Sequence, residues 1–88
     1  MDWLIHKYVG LISNRLDQYK RKGPNLYNFR CPICNDSQIN KRKARGYIYE
    51  KQGKTIFHCH NCGVTLSAAN LIKTIDLNLY NEYRLEKL

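Results

Sequence analysis

Residues 30–37, RCPICNDS, and residues 58–63, HCHNCG, decide what this chain can be. Each holds a Cys-x-x-Cys pair, Cys31 with Cys34 and Cys59 with Cys62. Two such pairs in a short chain can be disulfides, a redox centre or a metal site. Cysteines three positions apart turn both sulfurs toward one point, and the tight turn between them aims backbone N–H groups at the sulfurs. Each pair is then half of a tetrahedron. The gap between the pairs is 24 residues, a little longer than the usual spacing of about 15 to 20, and an intervening hairpin accounts for the excess. The residue after such a knuckle commonly takes a positive φ, and Asn35 and Gly63 stand there, the two types most tolerant of that region. All-thiolate tetrahedral coordination suits zinc, and a complete set of protein ligands leaves no open position for a water nucleophile. The pattern predicts one structural Zn2+ held by Cys31, Cys34, Cys59 and Cys62, with disulfides, an iron centre or a redox dithiol as the alternatives.

Length and charge fit that reading. A chain of 88 residues forms one domain and rarely buries enough apolar surface to do without a covalent or metal staple. Fifteen Lys and Arg against seven Asp and Glu give a formal charge of +8, and four thiolates around one divalent ion lower this only by two. So basic a molecule favours polyanions such as nucleic acid or an anionic membrane surface. No apolar run approaches the roughly 18 to 20 residues needed to span a bilayer, and the start, MDWLIHKYVG, is unlike a signal peptide. A soluble cytoplasmic protein with no membrane partner is expected, in a compartment where paired thiols are more often metal ligands than disulfides.

The expected fold is a small α+β zinc ribbon in a single zinc-binding domain, 1–88, with a helix over 1–22, the ribbon over 26–64 and a helical C-terminus over 65–88. Leu4, Tyr8, Leu11, Ile12, Leu16 and Tyr19 recur at helical steps. KRKGP at 20–24 then reads as a basic last turn followed by Gly and Pro, so its KRK is read as a helix-end charge cluster rather than a contact surface. NLYNFR at 25–30 reads as extended, and GYIYE and TIFHC flank the turn-like KQGK as an antiparallel β-hairpin. Thr65 or Ser67, then Asp76 or Asn78, are N-cap candidates for two C-terminal helices.

Between the knuckles, NKRKARGYIYEK carries Lys41, Arg42, Lys43 and Arg45. A lone basic run is usually a solvated loop. Here it leads into a strand on which Tyr47 and Tyr49 share a face. Aromatic faces stack on bases with roughly 1 to 3 kcal/mol each while cations neutralise phosphates, so a single-stranded nucleic-acid site is predicted. The competing reading packs one of these tyrosines onto the first helix, and the sequence leaves open which face of the sheet points inward. His58 and His60 are read as facing opposite sides of Cys59 rather than as ligands, and His60 and Asn61 in the second knuckle as able to touch a base. Arg45, His58, His60 and Asn61 are the candidates for base readout, and Lys41, Arg42 and Lys43 for phosphate affinity.

The run FRCPICNDSQINKRKARGYIYEKQGKTIFHCHNCG resembles the N-terminal zinc-binding domain of DNA primases from T-even-type bacteriophages. Its most specific elements are CP-x-C-x-DS, KARG with an aromatic shortly after it, and HC-x-NC; Asn35 departs from the Gly common after the second cysteine. The likeness extends to the leading helix and to LIK…DLNLYNEY. It implies binding of a single-stranded DNA template, recognition of a short priming site and help in starting the RNA primer. It adds Asp36 to the candidate DNA-binding residues, and it implies the primase catalytic domain and a replicative helicase as primosome partners in the host cytoplasm. Nothing in the chain matches the catalytic domain, and the acidic residues are scattered, so no enzymatic activity is expected in isolation. The alternative is a small phage zinc-ribbon protein whose basic face meets a host or phage protein partner.

Overall fold

The computed structural model describes residues 3–35, 39–40 and 42–88. Among these, three α-helices and a five-stranded antiparallel sheet form a small α+β fold. Helix α1 spans Trp3–Ile12 and buries Leu4, Ile5, Tyr8, Val9 and Ile12, the i, i+1, i+4, i+5, i+8 stripe of an amphipathic helix on a core. It is shorter than the expected 1–22, whose first two residues lie outside the described ones. A 3-10 turn, Ser13–Arg15, follows it, and Leu16 is already extended at φ −105° and ψ 114°. Ser13 Oγ donates to Gly10 O at 2.7 Å, and Gln18 at φ +57° reverses the chain. Leu16 is buried and Tyr19 packs on the core, but from either side of a turn at 17–18 rather than from a helix. Their helical spacing in the sequence is incidental, and burial in a shared core is what they have in common.

The five strands run in chain order across the sheet: β1 Lys20–Gly23, β2 Leu26–Phe29, β3 Gly46–Lys51, β4 Lys54–Cys59 and β5 Thr65–Ser67. KRK at 20–22 is therefore part of an edge strand rather than a helix end. Pairing with β2 satisfies its backbone across a bulge between Arg21 and Gly23. The extended stretch before the first knuckle and the hairpin after it are as expected. The hairpin closes with Lys51 opposite Lys54, and Gln52 and Gly53 both have positive φ, 53° and 76°, as a type I′ turn requires. Strand β5 replaces the first three residues of the expected helical C-terminus. It is too short to show alternation, and pairing with β4 decides its conformation.

Ser67 ends that strand and caps helix α2, Ala68–Ile75, by accepting Asn70 N–H at 3.1 Å. Asp76 caps α3, Leu77–Lys87, by accepting from Asn78 and Leu79 N–H at 2.9 and 3.2 Å. Tyr8 and Tyr83 meet edge to face at 5.5 Å, Lys7 and Tyr8 both bond Glu86, and Arg15 pairs with Asp76 at 2.7 Å. These contacts tie α3 to the first helix and the turn after it.

Cross-strand partners share a sheet face. The register places Tyr27, Ile48, Phe57 and Leu66 in one row. Tyr27, Ile48 and Phe57 are buried in one core with α1 and α2, and Leu66 packs against it. The opposite face carries the row Lys20, Asn28, Tyr47, His58, Thr65 and, beside it, Leu26, Tyr49, Ile56, Ser67. Ile48 thus points inward, and Tyr47 and Tyr49 stay half-buried on the side away from the helices. Among the described residues no helix is long and apolar enough to cross a membrane.

Candidate metal centre and nucleic-acid interface

The sheet brings the two cysteine pairs together. Cys59 ends β4 opposite Gly46, Cys31 follows β2 by two residues, and the hairpin between them closes the sequence gap. The four sulfurs of Cys31, Cys34, Cys59 and Cys62 all lie within 4.8 Å of one another, with Cys34 Sγ 3.8 Å from Cys59 Sγ. A tetrahedron with metal–sulfur bonds of about 2.3 Å has edges of about 3.8 Å. The thiols are not joined as disulfides. Asn35 and Gly63 take the expected positive φ, 60° and 79°, which lets each chain leave its knuckle.

Backbone geometry favours anionic sulfur. Asn61 and Cys62 N–H point at Cys59 Sγ from 3.3 and 3.5 Å, and Asn61 Nδ2 lies 3.5 Å from Cys34 Sγ. Burial acts the other way: it pushes the Cys31 thiol up to about 12 against the opposing N–H groups of Cys34 and Ile33, and it raises Cys59 as well. Cys31 and Cys59 are buried, Cys34 is half-buried and Cys62 is exposed, and four thiolates this close repel one another unless a cation lies between them. The donor set fits a metal ion, which these four residues would hold, and the chemistry it supplies there is cross-linking rather than reaction.

On the outer face, the rings of His58 and His60 meet edge to face at 4.9 Å, and His60 meets Tyr47 at 5.3 Å. The two histidines therefore do not face opposite sides of Cys59. His58 points away from the Cys59 sulfur because the two are neighbours on β4, and the knuckle turn that begins at His60 brings the second ring back against the first. His58 Nδ1 lies 2.8 Å from Thr65 Oγ1, and His60 N–H donates to Arg45 O at 3.0 Å, joining the basic segment to the aromatic group. Arg42, Lys43, His60 and Asn61 are exposed and Arg45 is half-buried. Tyr49 lies one row further along, toward the hairpin turn. Lys41 and Asp36, with Ser37, lie outside the described residues.

Sequence reasoning missed Arg30 and Asn28. Arg30 is buried, and its guanidinium donates to the carbonyl oxygens of Asn35 (2.5 Å), Asn40 (3.2 Å) and Lys43 (3.0 Å), with the Asp17 carboxylate 3.5 Å away. It gathers the connection between the first knuckle and β3. Asn28 Nδ2 donates to Ala44 O at 2.7 Å and Gly46 O at 3.1 Å, holding KARG against β2. The only trace of either in the sequence is a polar residue where β2 continues into the metal site.

No family model matches the chain. It is similar to the DNA primase of Enterobacteria phage T4: 38% identical over 58 residues, 66% of this chain. The match spans 17% of that primase.

Proposed function

We propose that residues 26–64 form a zinc ribbon that binds a single-stranded DNA template and recognises a priming site for RNA primer synthesis in phage DNA replication. One structural Zn2+ holds the four cysteines. The observation that carries the reading is on β4: Cys59 faces the sulfur cluster while its neighbour His58 stands in the outer row beside Tyr47. A metal there fixes the strand that presents the rings. The similarity to a phage DNA primase supports the same reading. Arg45, His58, His60 and Asn61 read base edges, Tyr47 and Tyr49 stack, and Lys41, Arg42, Lys43 and Asp36 complete the surface. Binding is the domain's role, and polymerase chemistry belongs to a separate catalytic domain that, with a replicative helicase, is its partner in the host cytoplasm.

The test is fluorescence anisotropy of zinc-loaded protein with short single-stranded oligonucleotides that vary one trinucleotide. Arg45→Ala lowers discrimination among trinucleotides, whereas Lys41→Ala weakens all of them alike. Equal loss in both variants rejects this division of labour, and no binding to any oligonucleotide rejects the function.

A second reading, a module that docks on a host or phage protein, has its own observation: Trp3, Leu77 and Leu85 on α1 and α3 are 70%, 56% and 71% exposed. A stoichiometric protein partner that survives nuclease treatment in a pull-down supports it.

A further inference from the structure

Strand β1 changes the outline of the basic surface. Lys20 stands opposite Asn28, in the row that continues through Tyr47 and His58, and so on the face away from the helices. Lys22 is the extra residue of the bulge, and both lysines are exposed. The neighbouring Arg21 is occupied: it donates to Gly23 O and Pro24 O and lies over the Tyr27 ring. No acidic group pairs with Lys20 or Lys22 among the described residues. Asn28, the register partner of Lys20, donates its side-chain amide on its other side to Ala44 O, so the edge cations and the 42–45 segment flank the same residue. Two strand spacings separate Lys20 from Tyr47, about 10 Å, close enough for one strand of nucleic acid to touch both.

We infer that the β1 edge is a phosphate-binding rail: a single strand whose bases meet Tyr47, His58 and His60 carries its backbone across β2 to Lys20 and Lys22. The inference rests on the proposed DNA-binding reading and extends that interface to an edge opposite the second knuckle. Phosphate is the chemistry that fits, because exposed ammonium groups bind it as point charges without reading sequence. The competing use of these lysines is defensive, since charge on an edge strand prevents pairing with another copy.

The experiment compares the wild type, Lys20→Gln/Lys22→Gln and the control Lys73→Gln/Lys87→Gln, which removes the same charge from α2 and α3. All are zinc-loaded, matched in metal content and circular dichroism, and titrated with an oligonucleotide of about ten nucleotides over a range of salt. The β1 variant is expected to flatten the plot of log K against log salt by about 1.4, roughly 0.7 for each phosphate of a single strand that is no longer neutralised. Its ranking of trinucleotides should match the wild type, and the control should keep nearly the full slope. Lys20→Gln alone should show about half of the change, which keeps the test sound if the double variant folds poorly. A wild-type slope in the β1 variant, an equal flattening in the control, or self-association as its sole defect overturns the inference while leaving DNA binding intact. A wild type that binds no oligonucleotide overturns both.

Discussion

The rings of Phe29 and Phe57 stack 5.6 Å apart and 8° from parallel, and they do so across a residue without a side chain. Gly46 is the cross-strand partner of both Phe29 and Cys59. A Cβ placed on it would lie 2.9 Å from Phe29 O and 3.0 Å from Phe57 Cε1. The last residue of KARG is thus required by packing, whatever the three before it contact. Gly46→Ala is expected to destabilise the protein by about 1 to 3 kcal/mol, read by urea denaturation with zinc present, and to weaken metal retention through Cys59. A neutral result would mean that β2 and β3 yield without cost.

Arg30 supports the connection that carries the basic residues. Its guanidinium meets three carbonyl oxygens, a forked geometry that an ammonium cannot copy. Arg30→Lys should keep the net charge and the metal, yet speed amide hydrogen exchange around Asn40 and Lys43 and weaken oligonucleotide binding several-fold. Unchanged exchange in Arg30→Lys would show that the carbonyl contacts do not hold the segment.

How much of this was legible beforehand depended on whether the signal was local. The knuckles, the type I′ turn at Gln52 and Gly53 and the caps at Ser67 and Asp76 are each set within a few residues, and their sequence signatures were readable. The end of α1 was not, because Leu16 and Tyr19 satisfy a helical period while reaching the core from either side of a turn. Strands β1 and β5 draw their structure from pairing with β2 and β4, so KRK and TLS carried no pattern of their own. The same limit hid Arg30 and Asn28, whose partners lie 5 to 18 residues away in sequence. It also leaves the inward face of GYIYE open, because either face of an alternating strand can meet a core and packing alone puts Ile48 there.

Metal removal tests the centre itself. Four sulfurs within 4.8 Å of one another need a cation to carry negative charge together, and binding of a structural metal contributes directly to folding. Chelation should abolish most tertiary structure, seen as loss of near-ultraviolet circular dichroism, and zinc should restore it at one equivalent per chain. Retention of the native spectrum by metal-free protein with reduced thiols would mean that the core under α1 and α2 is sufficient alone.

The junctions of α3 give a pH dependence of known sign. Lys7, then Tyr8, bond the Glu86 carboxylate and hold it below its ordinary value of 4.5. The Leu79 N–H and the Arg15 guanidinium do the same for Asp76, ordinarily 3.8. A carboxylate with a depressed folded pKa stabilises the fold above its unfolded value, and that contribution is lost as pH falls through the folded one. Acid also protonates the metal ligands, so a single protein's stability curve would mix the two effects. The difference between wild type and Glu86→Gln separates them, because the thiolate contribution is common to both. At fixed zinc, and over the pH range in which both proteins keep bound metal and a native near-ultraviolet spectrum, this difference in urea midpoint should be constant near neutral pH and begin to shrink below about pH 4.5. A difference independent of pH over that range would show that the Lys7 and Tyr8 contacts add nothing through the charge of Glu86.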